Sequence, residues 1–175
     1  MLPVLFMVSA LLMTVQPNWE WQSFPETGFK ILTPTVLSHE VREVPTPASI
    51  ILFHQYHGGS LNDTMLSMAF VIDHYILPGD EVVSDDDYKR EFFENTIDEL
   101  LVSLEGTLLY MDVVHHADRD VCIWKGSFMH GAGVIRGHTV LSGNKYFGLQ
   151  AFGMEKNNPD EEMDKFLNSF KFLET

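Results

Sequence analysis

One helix set among strands constrains this chain more than any other feature. From Ser84 to Leu104 the apolar residues Tyr88, Phe92, Phe93, Ile97, Leu100, Leu101 and Leu104 recur at helical spacing and mark one face for burial. Ser84 and Asp87 have the spacing of a capping box, and Asp85 and Asp86 place negative charge where the helix dipole favours it. Glu105-Gly106 reads as a glycine stop. A helix that must bury one face, with strand-like segments before and after it, predicts a helix laid on a sheet.

The flanking segments carry period-two alternation and turn residues. Trp19 to Pro34 reads as two short strand pieces, Trp19-to-Phe24 and Phe29-to-Leu32, around the turn Pro25-Glu26-Thr27-Gly28. Val36 to Val44 follows, with Pro45 and Pro47 marking an edge. Ser49–His57 and Thr64–Leu77 form a hairpin around a turn at Gly58–Asp63. Beyond the helix, Thr107–His116, Asp120–Met129, Gly133–Leu141 and Tyr146–Met154 read as a meander, with Ser142-Gly143-Asn144 as one of its turns. A short final helix has Asn158 as cap, Pro159 in its first position, Asp160, Glu161 and Glu162 in its first turn, and Met163, Phe166, Leu167 and Phe170 as its stripe. The fold class expected is α+β: an antiparallel sheet of about six to seven strands, backed by one long helix and a short C-terminal helix. Residues 17–175 are expected to form one domain behind a leader at 1–16.

Composition narrows the function classes. The 175 residues are 45% hydrophobic and include 13 phenylalanines, enough for a single core. A formal charge of −14 repels phosphate backbones, so no nucleic-acid partner is expected. Cys122 is the sole cysteine and sits in an apolar run, which reads as a buried thiol rather than a nucleophile. Met1 to Val15 is uncharged and apolar, resembles the core of a secretory signal, and has Ser9-Ala10 for cleavage. It is too short for a stable membrane span. Export to a periplasm or the exterior is expected; the alternative is a cytoplasmic protein in which this segment packs into the fold.

Candidate chemistry is sparse. Eight histidines include His54 and His57, which strand geometry sends to opposite faces. His54 shares its face with Tyr56, and Asp73-His74 on the partner strand can meet them across the hairpin. His115-His116 lies beside Asp118 and Asp120, and His130 and His138 flank a glycine-rich bend. His54, His74, His115, His116 and His138 are therefore the metal candidates, weighed against ordinary hydrogen-bonded histidines, because no local ligand pair backs them. Tyr56, Tyr75, Trp124 and Tyr146, with Trp19, Trp21 and Phe152, are candidates for an aromatic binding groove, weighed against simple core filling. Gly58-Gly59-Ser60 lacks the second glycine of a nucleophile elbow, and Gly131-Ala132-Gly133 lacks the rest of a dinucleotide loop. The acidic run Asp80, Glu81, Asp85, Asp86, Asp87 lacks the order of a calcium loop. Asn62-Asp63-Thr64 fits a glycosylation acceptor. No catalytic residue and no cofactor is assigned.

Several features together resemble a known fold. They are Pro25-x-x-Gly28-Phe29-Lys30-Ile31-Leu32-x-Pro34, a central hairpin, a helix after a Pro-Gly-acid break, a meander, and the ending Phe166-Leu167-Asn168-Ser169-Phe170-Lys171-Phe172. From Trp19 to Phe172 the chain is similar to the Mog1/PsbP-like fold, which many small exported bacterial proteins of unknown function share. Its members include a Ran-binding protein, photosystem assembly subunits and periplasmic lipoproteins, so the resemblance implies binding or assembly rather than catalysis. No residue role carries over, and the lipid-accepting cysteine of the lipoprotein members is missing. The leading expectation is a non-catalytic module that binds a protein partner through a sheet face or hairpin edge, marked by an exposed apolar patch. The alternatives are a small-molecule or metal binder using the histidine-bearing strands, and a hydrolase with a serine or carboxylate in reach of a histidine.

Overall fold

Strand segments with alternating burial make up most of the chain. The computed structural model describes residues 17–46, 49–62, 67–78, 86–116 and 118–173. The leader, the Ser84 cap with Asp85, Asp80 and Glu81 of the acidic run, and Asp63-Thr64 of the glycosylation acceptor lie outside them. In chain order the elements are β1 (Glu20–Phe24), β2 (Phe29–Thr33), β3 (Ser38–Pro45), β4 (Ile50–Ser60), β5 (Met68–Ile76), α1 (Asp86–Ser103), β6 (Thr107–His115), β7 (Asp120–Phe128), β8 (Gly133–Ser142), β9 (Lys145–Met154), α2 (Asp160–Asn168) and β10 (Lys171–Phe172). Seven strands form one antiparallel sheet in the order β3-β4-β5-β9-β8-β7-β6. The central step, β5 against β9, joins the early hairpin to the late meander over nine residue pairs from Met68↔Gly153 to Ile76↔Lys145.

Each face of that sheet has its own cover. On one side α2 and a small sheet, ordered β1-β2-β10, bury Phe29, Ile31, Phe166 and Leu167 against Tyr56, Phe70, Ile72, Phe147 and Leu149. On the other, Phe93, Ile97 and Leu101 of α1 pack on Cys122, Trp124, Phe128, Ile135, Leu141 and Tyr146. Each fully buried aromatic or branched side chain contributes about 1.5–3 kcal/mol through removal from water. Ion pairs pin both helices: Lys89 to Asp120 at 2.9 Å ties α1 to β7, and Arg136 to Asp164 at 2.9 Å ties β8 to α2.

The structure differs from the sequence reading at four places. Gly58-Gly59-Ser60 belongs to β4 rather than to a turn. Pairing continues through Ser60↔Met68: Gly59 takes a left-handed φ of 77°, and a Cβ there would lie 2.3 Å from the Met68 carbonyl oxygen. Glu105, not Gly106, takes the left-handed position after α1. The amides of Glu105 and Gly106 close the end on Val102 and Leu101 carbonyls at 3.2 and 2.8 Å, a Schellman arrangement. Asn158 is itself left-handed and makes no side-chain cap; Pro159 holds the cap position of α2 and its carbonyl accepts from the Met163 amide. Tyr88, read as part of the buried face of α1, is exposed, since the first turn of the helix projects past the apolar contacts that begin at Phe92.

Candidate functional site

Between α1 and strands β4, β5 and β9 a cavity of about 310 Å³ remains. Its walls include Phe53, Tyr75, Ile97, Glu99, Leu100, Trp124 and Tyr146, and Asp73 faces into it. Asp73 sits on β5 with both carboxylate oxygens engaged: Gln55 Nε2 donates to Oδ1 at 2.8 Å and Gln150 Nε2 to Oδ2 at 3.2 Å. Burial holds this carboxyl above its ordinary value, against the pull of the two amides and the Arg42 charge. The rings of Tyr75 and Tyr146 stack at 4.4 Å, and Trp124 Nε1 donates to Thr139 Oγ1 at 3.3 Å. Burial pushes Tyr75 up to about 12, helped by the charges of Asp73 and Glu99. The Cys122 thiol nearby on β7 is likewise pushed up to about 12 by burial, so it is protonated and inert.

Two glycines shape the floor. A Cβ on Gly137 would lie 2.3 Å from Trp124 Cε2, and one on Gly148 would lie 2.6 Å from Tyr146 Oη. Without those carbons the indole lies across Gly137 of the neighbouring strand β8 and the phenol along Gly148 of its own strand β9.

A second feature lies on the opposite sheet face. Val41, Ile50, Leu52 and Ile76 are 51, 65, 53 and 53% exposed. Alternation places all four on the side of His54, which pairs with Val41 on β3 and with His74 on β5. They form an apolar strip on a wing of the sheet, and β3 beyond it is an edge strand exposed along its whole length.

The candidate histidines fall into three separate places. His39 Nε2 and His54 Nδ1 are 3.1 Å apart, the His54 and His74 rings are 5.8 Å apart, and His74 Nδ1 donates to the Tyr146 carbonyl at 2.8 Å. Burial holds both His54 and His74 below the usual imidazole value. His115 Nδ1 bonds Asp120 Oδ1 at 2.6 Å, inside the ion pair that anchors α1. His116 and His138 line a different cavity, about 430 Å³, between the sheet and the α2 end of the molecule. Burial drives His138 down to about 4. Among the described residues, no group of three or more histidine, cysteine or acidic side chains is set to hold a metal ion.

Of the aromatic candidates, Tyr75, Trp124 and Tyr146 meet at the cavity under α1. Tyr56 is buried on the other face, its hydroxyl 2.8 Å from Thr27 Oγ1. Of the pair Asp73-His74 expected to meet His54 and Tyr56, only His74 does so; Asp73 faces the other side, onto Gln55, and His39 joins His54 from β3. The sequence sign of Asp73 is a lone carboxylate in the strand Met68–Ile76, on the face of Val71 and Tyr75. Among the described residues no helix is long and apolar enough to cross a membrane.

No protein-family model matches the chain, and no curated protein matches it. Among solved structures it is similar to the solution structure of cyanobacterial PsbP (CyanoP) from Synechocystis sp. PCC 6803. The TM-score is 0.58 at 12% sequence identity, over 89% of this chain and 93% of that one. At that identity the likeness concerns the backbone and not the site: the chain has a PsbP-like fold.

Proposed function

We propose that this chain is an exported, non-catalytic module that docks a protein partner on the β3–β4 wing. The observation that supports it is the strip Val41, Ile50, Leu52 and Ile76. Single exposed apolar residues are ordinary on a protein surface, whereas a contiguous set is the mark of an interface. The strip borders the free edge of β3, whose outer backbone groups can pair with an added strand. Glu40, Arg42, Glu43 and Pro45 on that strand guard it against indiscriminate pairing. The partner segment is extended, carries apolar side chains for the strip, and has basic flanks to match the chain's net charge of −14.

The test is capture from an extract of the source cells with the native chain and with Leu52→Glu. A surface change of this kind shifts stability by about 0.5 kcal/mol or less, so thermal melting stays the same. The reading expects a bound protein that Leu52→Glu fails to retain; retention of every bound protein by the variant overturns it. Intact mass of the chain purified from its own host tests export separately: a mass lacking residues 1–16 is expected, and a full-length mass sinks that part.

A further inference from the structure

We propose that β3 is also the contact through which two copies of this chain pair, antiparallel about a two-fold axis at Val41, so that a second copy caps the edge when no foreign segment occupies it. This second role rests on the reading of β3 as a free pairing edge and names what covers it.

The edge is open along its length. All of Ser38–Pro45 is exposed. His39 is exposed although its ring lies stacked on Tyr56 at 4.2 Å, which leaves its main chain to face the solvent. An edge strand turns the N–H and C=O of every second residue outward. An antiparallel neighbour of the same sequence can therefore set only odd residues opposite odd, and even opposite even. That rule leaves a handful of registers. Centred on Glu40 or on Glu43, two glutamates stand opposite each other; centred on Arg42, two arginines do. Centred nearer either end, most of the strand runs past its partner. Centred on Val41, all of Ser38–Val44 is paired, with Glu40 opposite Arg42 twice and His39 opposite Glu43 twice. Like charges directly opposite destabilise a strand pair and opposite charges stabilise it. The charges that deter other registers thus select this one.

Within the chain, His57 bonds Glu40 at 3.3 Å and Glu26 lies 3.8 Å from His39, yet the Glu40 side chain is still 59% exposed. With the axis perpendicular to the sheet, the two seven-stranded sheets continue into each other. Val41 meets its own copy on the face of the apolar strip, and the two strips join across the axis. A contact made by one strand edge is small, and each copy carries a net charge of −14, so the dimer is weak and needs salt to screen the long-range repulsion.

The test is sedimentation of the full chain in about 0.15 M salt, at concentrations on the order of 1 µM to 1 mM. The native chain is expected to pass from monomer to dimer. Glu40→Arg and Arg42→Glu, each alone, set like charges opposite each other and weaken the dimer by about tenfold or more. Mixed in equal amounts they pair with each other, because one edge then carries two cations where the other carries two carboxylates. Thermal melting establishes that each variant is folded. Arg42 also acts on Asp73; if its variant melts low, Glu40→Arg decides alone. A native chain that stays monomeric throughout overturns the proposal. So does a dimer that a folded Glu40→Arg chain keeps, or a pair of folded variants that fail to associate when mixed. The partner reading of the wing fails separately, since Leu52 lies on β4, off the edge. A dimer that captures no partner sinks that reading alone, and a monomer that captures one sinks only the self-pairing.

Discussion

Against α2 and the small sheet, the seven-stranded sheet presents Phe29, Phe70, Phe147 and Phe166, rings packed against rings. Against α1 it presents Trp124, Tyr146, a carboxylate and an open volume. The shifted ionisable groups differ in kind between the faces, histidines prevailing on the α2 side beside one raised tyrosine, Tyr56. His54, His74 and His138 on the α2 side are all held below their usual value by burial, while Asp73, Tyr75 and Tyr146 on the α1 side are all held above theirs. Burial disfavours whichever form is charged, so one cause gives opposite directions for bases and acids. Both sides keep a cavity, but the α2 side packs ring on ring and sets a neutral histidine beside its cavity, whereas the α1 side sets a carboxylate beside its own. That difference puts the densest aromatic packing on one face and a buried carboxylate on the other.

The sharpest way to break the comparison is to empty the same kind of volume on each face. Phe147 is fully buried among Phe29, Phe170, Phe172 and the stacked His74 ring. Phe147→Ala is expected to cost about 3–5 kcal/mol in urea unfolding. Leu100 lines the existing cavity and is only partly buried, so Leu100→Ala is expected to cost about 1 kcal/mol. Similar losses at the two positions would erase the distinction.

Acid sharpens it next. His138 has a folded value of about 4 against an ordinary 6.5. The groups acting on it are Arg136 of its own strand, which lowers it further, and Asp164 of α2, which raises it. The unfolded chain therefore takes up this proton first. The stability that neutral His138 contributes is whole above about pH 6.5, declines as pH falls, and is gone near pH 4, a loss of about 3 kcal/mol. His138→Leu should melt with a flatter dependence on pH across that window than the native chain. Parallel profiles would mean that His138 is solvated and that the α2 face is wetter than its packing indicates.

How far these faces were legible beforehand follows from how local each feature is. The buried stripe of α1 at Phe93, Ile97 and Leu101 lies within a few helical turns, so its period exposed it. The strands of the meander did the same through alternation. The small sheet was not legible, because β10 has two residues and no period of its own. Gly58-Gly59 looked like a turn because clustered glycines usually are one; only the register with β5 shows a strand passing through them. In the cavity, Tyr75, Trp124 and Tyr146 stood out by residue type alone. Asp73 is legible only as a cross-hairpin neighbour of the histidines; its true partners appear once β9 is laid beside β5. Its partner Gln150 stands 77 residues along the chain, a pairing no local pattern carries.

The smallest expected effect is the most discriminating, because its sign is in question. Asp73 is held above its ordinary value, so the folded chain binds its proton more readily than the unfolded one. Ionising it at neutral pH therefore subtracts from stability, and acid restores what was lost as pH falls through the raised value toward about 4. Facing it are Arg42 from β3, Tyr75 from its own strand, Tyr146 from β9 and Glu99 from α1, and of these Arg42 alone favours the ionised form. Asp73→Asn keeps a group that accepts from Gln55 and, with the Gln150 amide turned, donates to it. The variant is expected to be at least as stable as the native chain at neutral pH in urea unfolding, with any advantage shrinking as the pH falls toward about 4. A clear destabilisation at neutral pH would make Asp73 a structural carboxylate and the α1 face a second packing surface with a flaw in it. If the fold stands as well or better without the charge, the carboxylate is no part of what holds the α1 face together, and the two faces differ in kind.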